Sequence, residues 1–211
     1  MQENTSAVLE AVGLKCVRNE QTLFERLCFS VQAGEVLQVD GPNGSGKTSL
    51  LRLLCGLSAP SDGEVRWRGR PIGEIRDDYA REISYVGHSN GIKAELTPHE
   101  NLAVARSLAA PRPDASVAKV LARMELSALA GVPVRRLSSG QCRRVALARL
   151  LLSNGRLWFL DEPFTTLDGG SRDLVRELIS DHAAAGGITV IVTHEPLDLA
   201  GDRVSRITLP S

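Results

Sequence analysis

Residues Gly41-Pro42-Asn43-Gly44-Ser45-Gly46-Lys47-Thr48 fit the pattern G-x-x-x-x-G-K-[ST]. Glycines at 41, 44 and 46 let backbone N–H groups curl round an anion without side-chain clash. Lys47 adds a point charge for the β- and γ-phosphates of a nucleotide, and Thr48 a hydroxyl that can ligate Mg²⁺. The candidate nucleotide-binding set is Gly41, Pro42, Asn43, Gly44, Ser45, Gly46, Lys47, Thr48 and the adjoining Ser49. Downstream, the apolar run Leu157-Trp158-Phe159-Leu160 ends in Asp161-Glu162. Asp161 is placed to hold Mg²⁺ through water, with Thr48 as the other metal candidate, and Glu162 to deprotonate an attacking water as general base. Between these motifs lies Leu137-Ser138-Ser139-Gly140-Gln141. A Ser and a Gly opening a helix offer a hydroxyl and free N–H groups, a second anion reader. The chain already owns one phosphate cradle, so the second makes sense if it serves ATP held by another copy.

These residues need elements that bring them together. β-type segments are expected at Val8 to Val17 and Thr22 to Val31, broken by Arg18-Asn19-Glu20-Gln21. Val36 to Val39 reads as a short strand running into the glycine loop. Beyond Lys47, residues Leu50, Leu51, Leu53, Leu54 and Leu57 form a helical stripe stopping near Gly56. Strand, glycine loop and helix are the context a phosphate loop requires. Glu64 to Arg68 and Ile83 to Val86 read as further strands. Leu157 to Leu160 and Thr189 to Val192 are near-continuous apolar runs, as parallel strands buried on both faces should be. Helices at about 140–153 and 170–185 would complete βαβ alternation, and Val204 to Leu209 reads as a last β segment. From about 91 to 136 the texture is helical and Ala/Leu-rich, interrupted by Pro98, Pro111, Pro113 and Pro133.

Composition narrows the function classes. At 211 residues the chain suits one globular domain with a small subdomain. Lys+Arg and Asp+Glu both number 25, so no net field or basic block favours nucleic acid. Cys16, Cys28, Cys55 and Cys142 are scattered without metal-site spacing and read as reduced thiols. Met1-Gln2-Glu3-Asn4-Thr5-Ser6 lacks the features of a signal peptide, and no apolar run approaches the roughly 20 residues that would span a bilayer. A soluble, cytoplasmic chain is expected.

The glycine loop, the 137–141 run, Asp161-Glu162, Thr165-Thr166-Leu167-Asp168 and His194 follow the order of ABC-type nucleotide-binding domains, which the chain resembles from about 7 to 209. The resemblance implies an α/β fold. It would comprise a P-loop NTPase core, a mixed sheet with an N-terminal antiparallel β subdomain (7–90 and 137–209), and an inserted small helical subdomain (91–136). It also implies that Ser138, Ser139, Gly140 and Gln141 meet the γ-phosphate held by a second copy, that Asp168 crosses the dimer seam, and that His194 touches the γ-phosphate. Three positions depart from the family pattern. His88 stands where a Gln usually ends its strand; a neutral imidazole can accept a hydrogen bond or ligate a metal, so His88 joins Glu162 and His194 as a catalytic candidate. Arg18 falls near the place of the usual adenine-stacking aromatic, and a guanidinium can stack on a base. Ser139 replaces a Gly, and its small side chain should preserve backbone approach.

Within the family, Arg18 to Phe24, Gly87 to Lys93, Gln141 to Leu150 and Trp158 to Thr165 resemble the ATP-binding subunits of the haem exporter used in bacterial c-type cytochrome maturation. That implies a peripheral subunit on the cytoplasmic face of the inner membrane, docked on membrane-spanning partners and working as an ATP-bound homodimer with Mg²⁺. No C-x-x-C-H occurs, so direct haem binding is not expected. The docking surface would lie around Gly91 to Leu108; Leu96, Leu102, Val104 and Leu108 are expected mostly in the subdomain core. Alternatives are a subunit for another cargo (lipoprotein, metal or small solute) and a soluble ABC ATPase acting on ribosomes or DNA. A binding-only module is disfavoured by the presence of Lys47, Thr48, Asp161, Glu162 and His194 together.

Overall fold

The computed structural model describes residues 9–108, 114–197, 199 and 204–210. The expected strand start at Val8, the breaks at Pro111 and Pro113 and the polar Met1 to Ser6 lie outside these residues. Two sheets form. The first is antiparallel, with order β2-β1-β4-β5, from β1 (Leu9–Arg18), β2 (Gln21–Val31), β4 (Asp62–Trp67) and the two-residue β5 (Arg70–Pro71). Its first hairpin closes at Arg18↔Gln21. The second is parallel, with order β6-β7-β8-β3-β9, from β3 (Val36–Asp40), β6 (Ile83–Val86), β7 (Leu157–Asp161), β8 (Ile188–Val192) and β9 (Val204–Thr208). Every residue of β7 and β8 is buried, which is why their sequences run apolar without alternation.

Side chains alternate across a strand, so one parallel strand feeds two cores. Leu157 and Phe159 join the antiparallel sheet and α1 (Lys47–Leu54) in one cluster. Trp158 and Leu160 join the helical side in the other. That side comprises α3 (Pro98–Leu108), α4 (Val117–Arg123), α5 (Ser139–Ala148) and α6 (Gly169–Ala184). A further helix, α2 (Arg76–Glu82), leads into β6. Its single buried side chain, Tyr79, donates to the Leu54 carbonyl at 2.6 Å; with so little apolar periodicity it left no sequence signal.

Three expectations need correction. Pro98 does not interrupt a helix but opens α3, where a missing N–H costs nothing. The capping pair Thr97 and Glu100 fixes that start: the Glu100 amide donates to Thr97 Oγ1 at 3.2 Å and the Thr97 amide to Glu100 Oε2 at 2.8 Å. Of the apolar residues expected in the subdomain core, Leu102 is fully buried and Leu96 half-buried, but Val104 and Leu108 are exposed, Leu108 by 83%. Val104 lies to the side of the face that buries Pro98, Asn101 and Leu102, and Leu108, the last residue of α3, follows Asn101 by seven positions on that face but is left uncovered. Leu57 likewise lies beyond the end of α1 and is exposed.

Candidate functional site

In a parallel sheet the loops at the carboxyl ends of the strands gather on one edge. Here those loops carry the glycine run after β3, His88 after β6, Asp161-Glu162 at the end of β7 and His194 after β8. The strand order therefore assembles residues separated by more than a hundred positions.

Gly46 caps α1 with φ +97, a left-handed conformation, and a Cβ there would meet Leu23 at 3.1 Å and Phe24 at 3.2 Å. No side chain caps this helix, so the amides of its first turn are free to bind an anion. Lys47 is nearly buried and donates to the carbonyls of Gly41 at 2.6 Å and Pro42 at 2.9 Å. Ser45 Oγ is buried without a hydrogen-bond partner. A cation held by carbonyls, a lone hydroxyl and open amides together make a cradle that a polyphosphate satisfies.

Thr48 Oγ1 donates to Asp161 Oδ2 at 2.9 Å, which brings together the two oxygens expected to serve a Mg²⁺ ion. This all-oxygen pair suits a hard cation that keeps several waters. Glu162 follows with φ +50, uncommon for a residue with a side chain, and its amide donates to the Val192 carbonyl at 2.9 Å. That bond ties the end of β7 to the end of β8. His194 Nε2 lies 3.6 Å from Glu162 Oε1. Burial raises the Glu162 carboxyl above its ordinary range; His194 works against this, Asp161 adds to it, and Lys47 and His88 work against it.

A cleft of about 420 Å³ opens beside these groups. It is lined by Asn43, Gly44, Gly46, Lys47, Thr48, Ser49, His88, Asp161 and Glu162, with Arg18 and Leu23 from the first hairpin and Val192 behind them. Arg18 thus stands at the phosphate cleft. Ser49 hydrogen-bonds the Cys16 thiol. Gly41 and Pro42 contribute through their carbonyls, and His194 through Glu162.

Ser138, Ser139, Gly140, Gln141 and Asp168 do not line this cleft. Ser138 caps α5 in a reciprocal box: its Oγ accepts from the Gln141 amide at 3.2 Å, and Gln141 Oε1 accepts from the Ser138 amide at 2.9 Å. The Ser138 hydroxyl hydrogen stays available to an anion. Ser139 is exposed. A Cβ on Gly140 would sit 2.8 Å from the Thr166 carbonyl oxygen, so only a glycine lets the start of α5 pack on the Thr165–Asp168 turn. Asp168 caps α6, accepting from the Ser171 amide at 2.8 Å, and hydrogen bonds from the Ser171 hydroxyl first and its amide second lower the Asp168 carboxyl below the usual range.

Motif reading missed Arg143. It is 3% exposed. Its Nη1 donates to the Gly87 carbonyl at 2.8 Å and to Asn90 Oδ1 at 3.1 Å. Its Nη2 donates to the carbonyls of Asp161 at 2.8 Å and Glu162 at 2.9 Å, and its Nε to that of Pro163 at 3.3 Å. A signal was present: Arg143 falls on the same stripe as Ala146, Leu147 and Leu150, where an apolar residue is expected.

Against known proteins, a family model described as ABC transporter matches residues 24–165. Cytochrome c biogenesis ATP-binding export proteins named CcmA are similar over almost the whole chain. The Nitrosococcus oceani protein is 47% identical over 99% of this chain and 95% of its own length. That of Methylococcus capsulatus is 49% identical over 94% and 96%, and that of Escherichia coli K12 45% identical over 96% of each. Among solved structures, an ABC transporter ATP-binding protein from Pyrococcus furiosus superposes with a TM-score of 0.79 at 25% identity, covering 94% of this chain and 96% of that one. An ATP-binding subunit of an ABC transporter gives 0.74 at 26% identity, over 89% and 80%.

Proposed function

This chain belongs to the ABC transporter family, and from that premise we propose that it is the ATP-hydrolysing subunit of the haem exporter serving c-type cytochrome maturation. The observation that carries the ATPase part is the meeting of Lys47, Thr48, Asp161, Glu162 and His88 around one cleft, with His194 against Glu162. The near full-length similarity to cytochrome c biogenesis export proteins supports the choice of pathway.

The glycine loop and Lys47 hold the β- and γ-phosphates of ATP, and Arg18 and Leu23 flank the base. Thr48 and Asp161 hold Mg²⁺, which when bound neutralises charge on the phosphates. Glu162, its carboxyl pKa raised by burial, accepts a proton from the attacking water. His194, at 3.6 Å, orients that carboxylate and reaches the γ-phosphate.

Two chains face each other, each supplying Ser138 to Gln141 to the nucleotide of its partner. The position of this run away from its own cleft, with a hydroxyl donor and the N-terminus of α5 exposed, supports that arrangement. Asp168 and the Thr166 turn, packed on Gly140, lie at the seam between copies. Closure on ATP and reopening after hydrolysis then drive membrane subunits.

Those subunits dock between the His88 loop and the helical subdomain, around Gly91 to Leu108. A groove of about 400 Å³ runs between β6 and α3, lined by Tyr85, Val86, Ala105, Leu108, Arg149 and Leu150. Leu108, exposed by 83% at its rim, fits an apolar helix of a membrane partner. Among the described residues no helix is long and apolar enough to cross a membrane. In this reading the chain attaches to its partners on the cytoplasmic face of the inner membrane through this groove. Capture of the chain from detergent-solubilised membranes tests the reading. Co-purification of membrane subunits with haem-dependent stimulation of ATP hydrolysis is expected. Subunits of a lipoprotein, metal or solute transporter in their place would overturn the haem assignment.

A further inference from the structure

Arg143 poses a physical problem. A guanidinium removed from water and bonded to neutral oxygens costs stability that an apolar side chain of similar volume would not. What it provides instead is geometry. Its planar fork of donors is rigid, and a lysine cannot reproduce it. Here the fork spans two strand exits at once: Gly87 and Asn90 beyond β6, and Asp161, Glu162 and Pro163 beyond β7.

The ladder between these strands ends at Val86↔Leu160. Past that pair the two chains diverge, one toward His88 and the other toward Glu162. Arg143 takes over where the ladder stops. A second arginine of the same segment extends the hold outward: Arg149 Nη1 donates to the Asn90 carbonyl at 3.3 Å and the Gly91 carbonyl at 3.2 Å. Arg149 also lines the groove between β6 and α3. The loop 87–91 is thus fastened by Arg143 of α5, the helix that the Ser138–Gln141 run opens, and by Arg149 in the turn that follows it. The Glu162 carbonyl accepts from this fork, its amide is bonded to Val192, and its backbone is held at φ +50. Such a conformation persists only where its surroundings over-determine it.

We propose that Arg143 is a positioning residue: it sets Glu162 for hydrolysis and couples it to the His88 loop, so that displacement of that loop at the groove changes turnover, not nucleotide binding. The inference rests on Glu162 being the base that activates water.

Arg143→Lys keeps the charge and removes the fork. It is expected to lower kcat about 100-fold, the scale of a reacting group misplaced by roughly an ångström. KM and the Kd for a fluorescent ATP analogue stay within about threefold of wild type, the signature of an interaction made at the transition state. With hydrolysis blocked and ATP still bound, the variant accumulates an ATP-dependent dimer, as Glu162→Gln does; a merely loosened core would lose binding and dimer together. Should Arg143→Lys not fold, Asn90→Ala removes one acceptor of the fork and is expected to lower kcat severalfold with KM unchanged. Wild-type kcat in the folded variants, or kcat and nucleotide affinity falling in parallel, overturns the proposal. If Glu162→Gln itself hydrolyses ATP normally, the underlying assignment of Glu162 falls. If it is inactive while Arg143→Lys turns over normally, only the role of Arg143 falls.

Discussion

Gly140 and Ser139 are neighbours in one anion-reading run, and the structure predicts opposite consequences for changing them. In Gly140→Ala the new Cβ starts 2.8 Å from the Thr166 carbonyl oxygen. Ordinary carbon–oxygen contacts fall at about 3.3–3.6 Å, so a gap of roughly 0.5–0.8 Å must open between α5 and the Thr165–Asp168 turn. Overpacking of this kind costs about 1–3 kcal/mol, against which alanine returns up to about 1 kcal/mol of helix propensity. The net loss of about 0–3 kcal/mol corresponds to a fall in Tm of roughly 0–12 °C for a domain of this size. Activity should suffer far more than stability. The Ser138 hydroxyl and the first amides of α5 move relative to the seam by most of an ångström, which projects to about a 10- to 100-fold loss in ATPase kcat/KM. Ser139→Gly touches an exposed side chain and should stay within about twofold of wild type. Steady-state ATP hydrolysis and thermal melts on both variants decide the matter. A Gly140→Ala protein that melts and turns over like wild type would refute the packing argument, as would a Ser139→Gly protein with the larger defect.

Further expectations concern the core, the acid limb and the thiols. Leu102→Ala should lose about 2–5 kcal/mol because Leu102 is fully buried. Leu108→Ser should change stability by no more than about 0.5 kcal/mol, since that side chain is exposed; denaturant titration separates the two. The Glu162 carboxyl is raised, so as pH falls through its pKa the group protonates and ceases to be a base. The acid limb of kcat/KM should therefore lie above the ordinary glutamate value of about 4.3, and a profile flat down to that pH would count against Glu162. Cys28 is exposed and should react quickly with a thiol reagent, whereas Cys55, buried and with its thiol pushed up by burial, should react only on unfolding; mass spectrometry of partially labelled protein reads the order.

Some of this was legible in the residues. The apolar runs at 157–160 and 189–192 declared buried parallel strands, and the glycine loop stood between a strand and a helix as its chemistry requires. Hydrophobic period carries that information because each face is committed to one core. It did not carry α2, which buries one tyrosine, nor the exposure of Val104 and Leu108, which have the spacing of a stripe but stay open to solvent. Motif order identified Glu162 and His194 but not their 3.6 Å approach, which depends on β7 and β8 being adjacent in the sheet. Arg143 was hidden for a different reason. Its acceptors are four backbone carbonyls and one amide oxygen, and carbonyls leave no mark on a sequence.

The composite site formed by two chains is tested most directly by the mass of Glu162→Gln in solution. Without its carboxylate this variant should bind ATP and fail to hydrolyse it. Light scattering after size exclusion should then show a monomer without nucleotide and a dimer with ATP, and Ser138→Arg in the same background should abolish the dimer. A monomer at saturating ATP, or a dimer indifferent to both nucleotide and Ser138→Arg, would contradict the two-chain site.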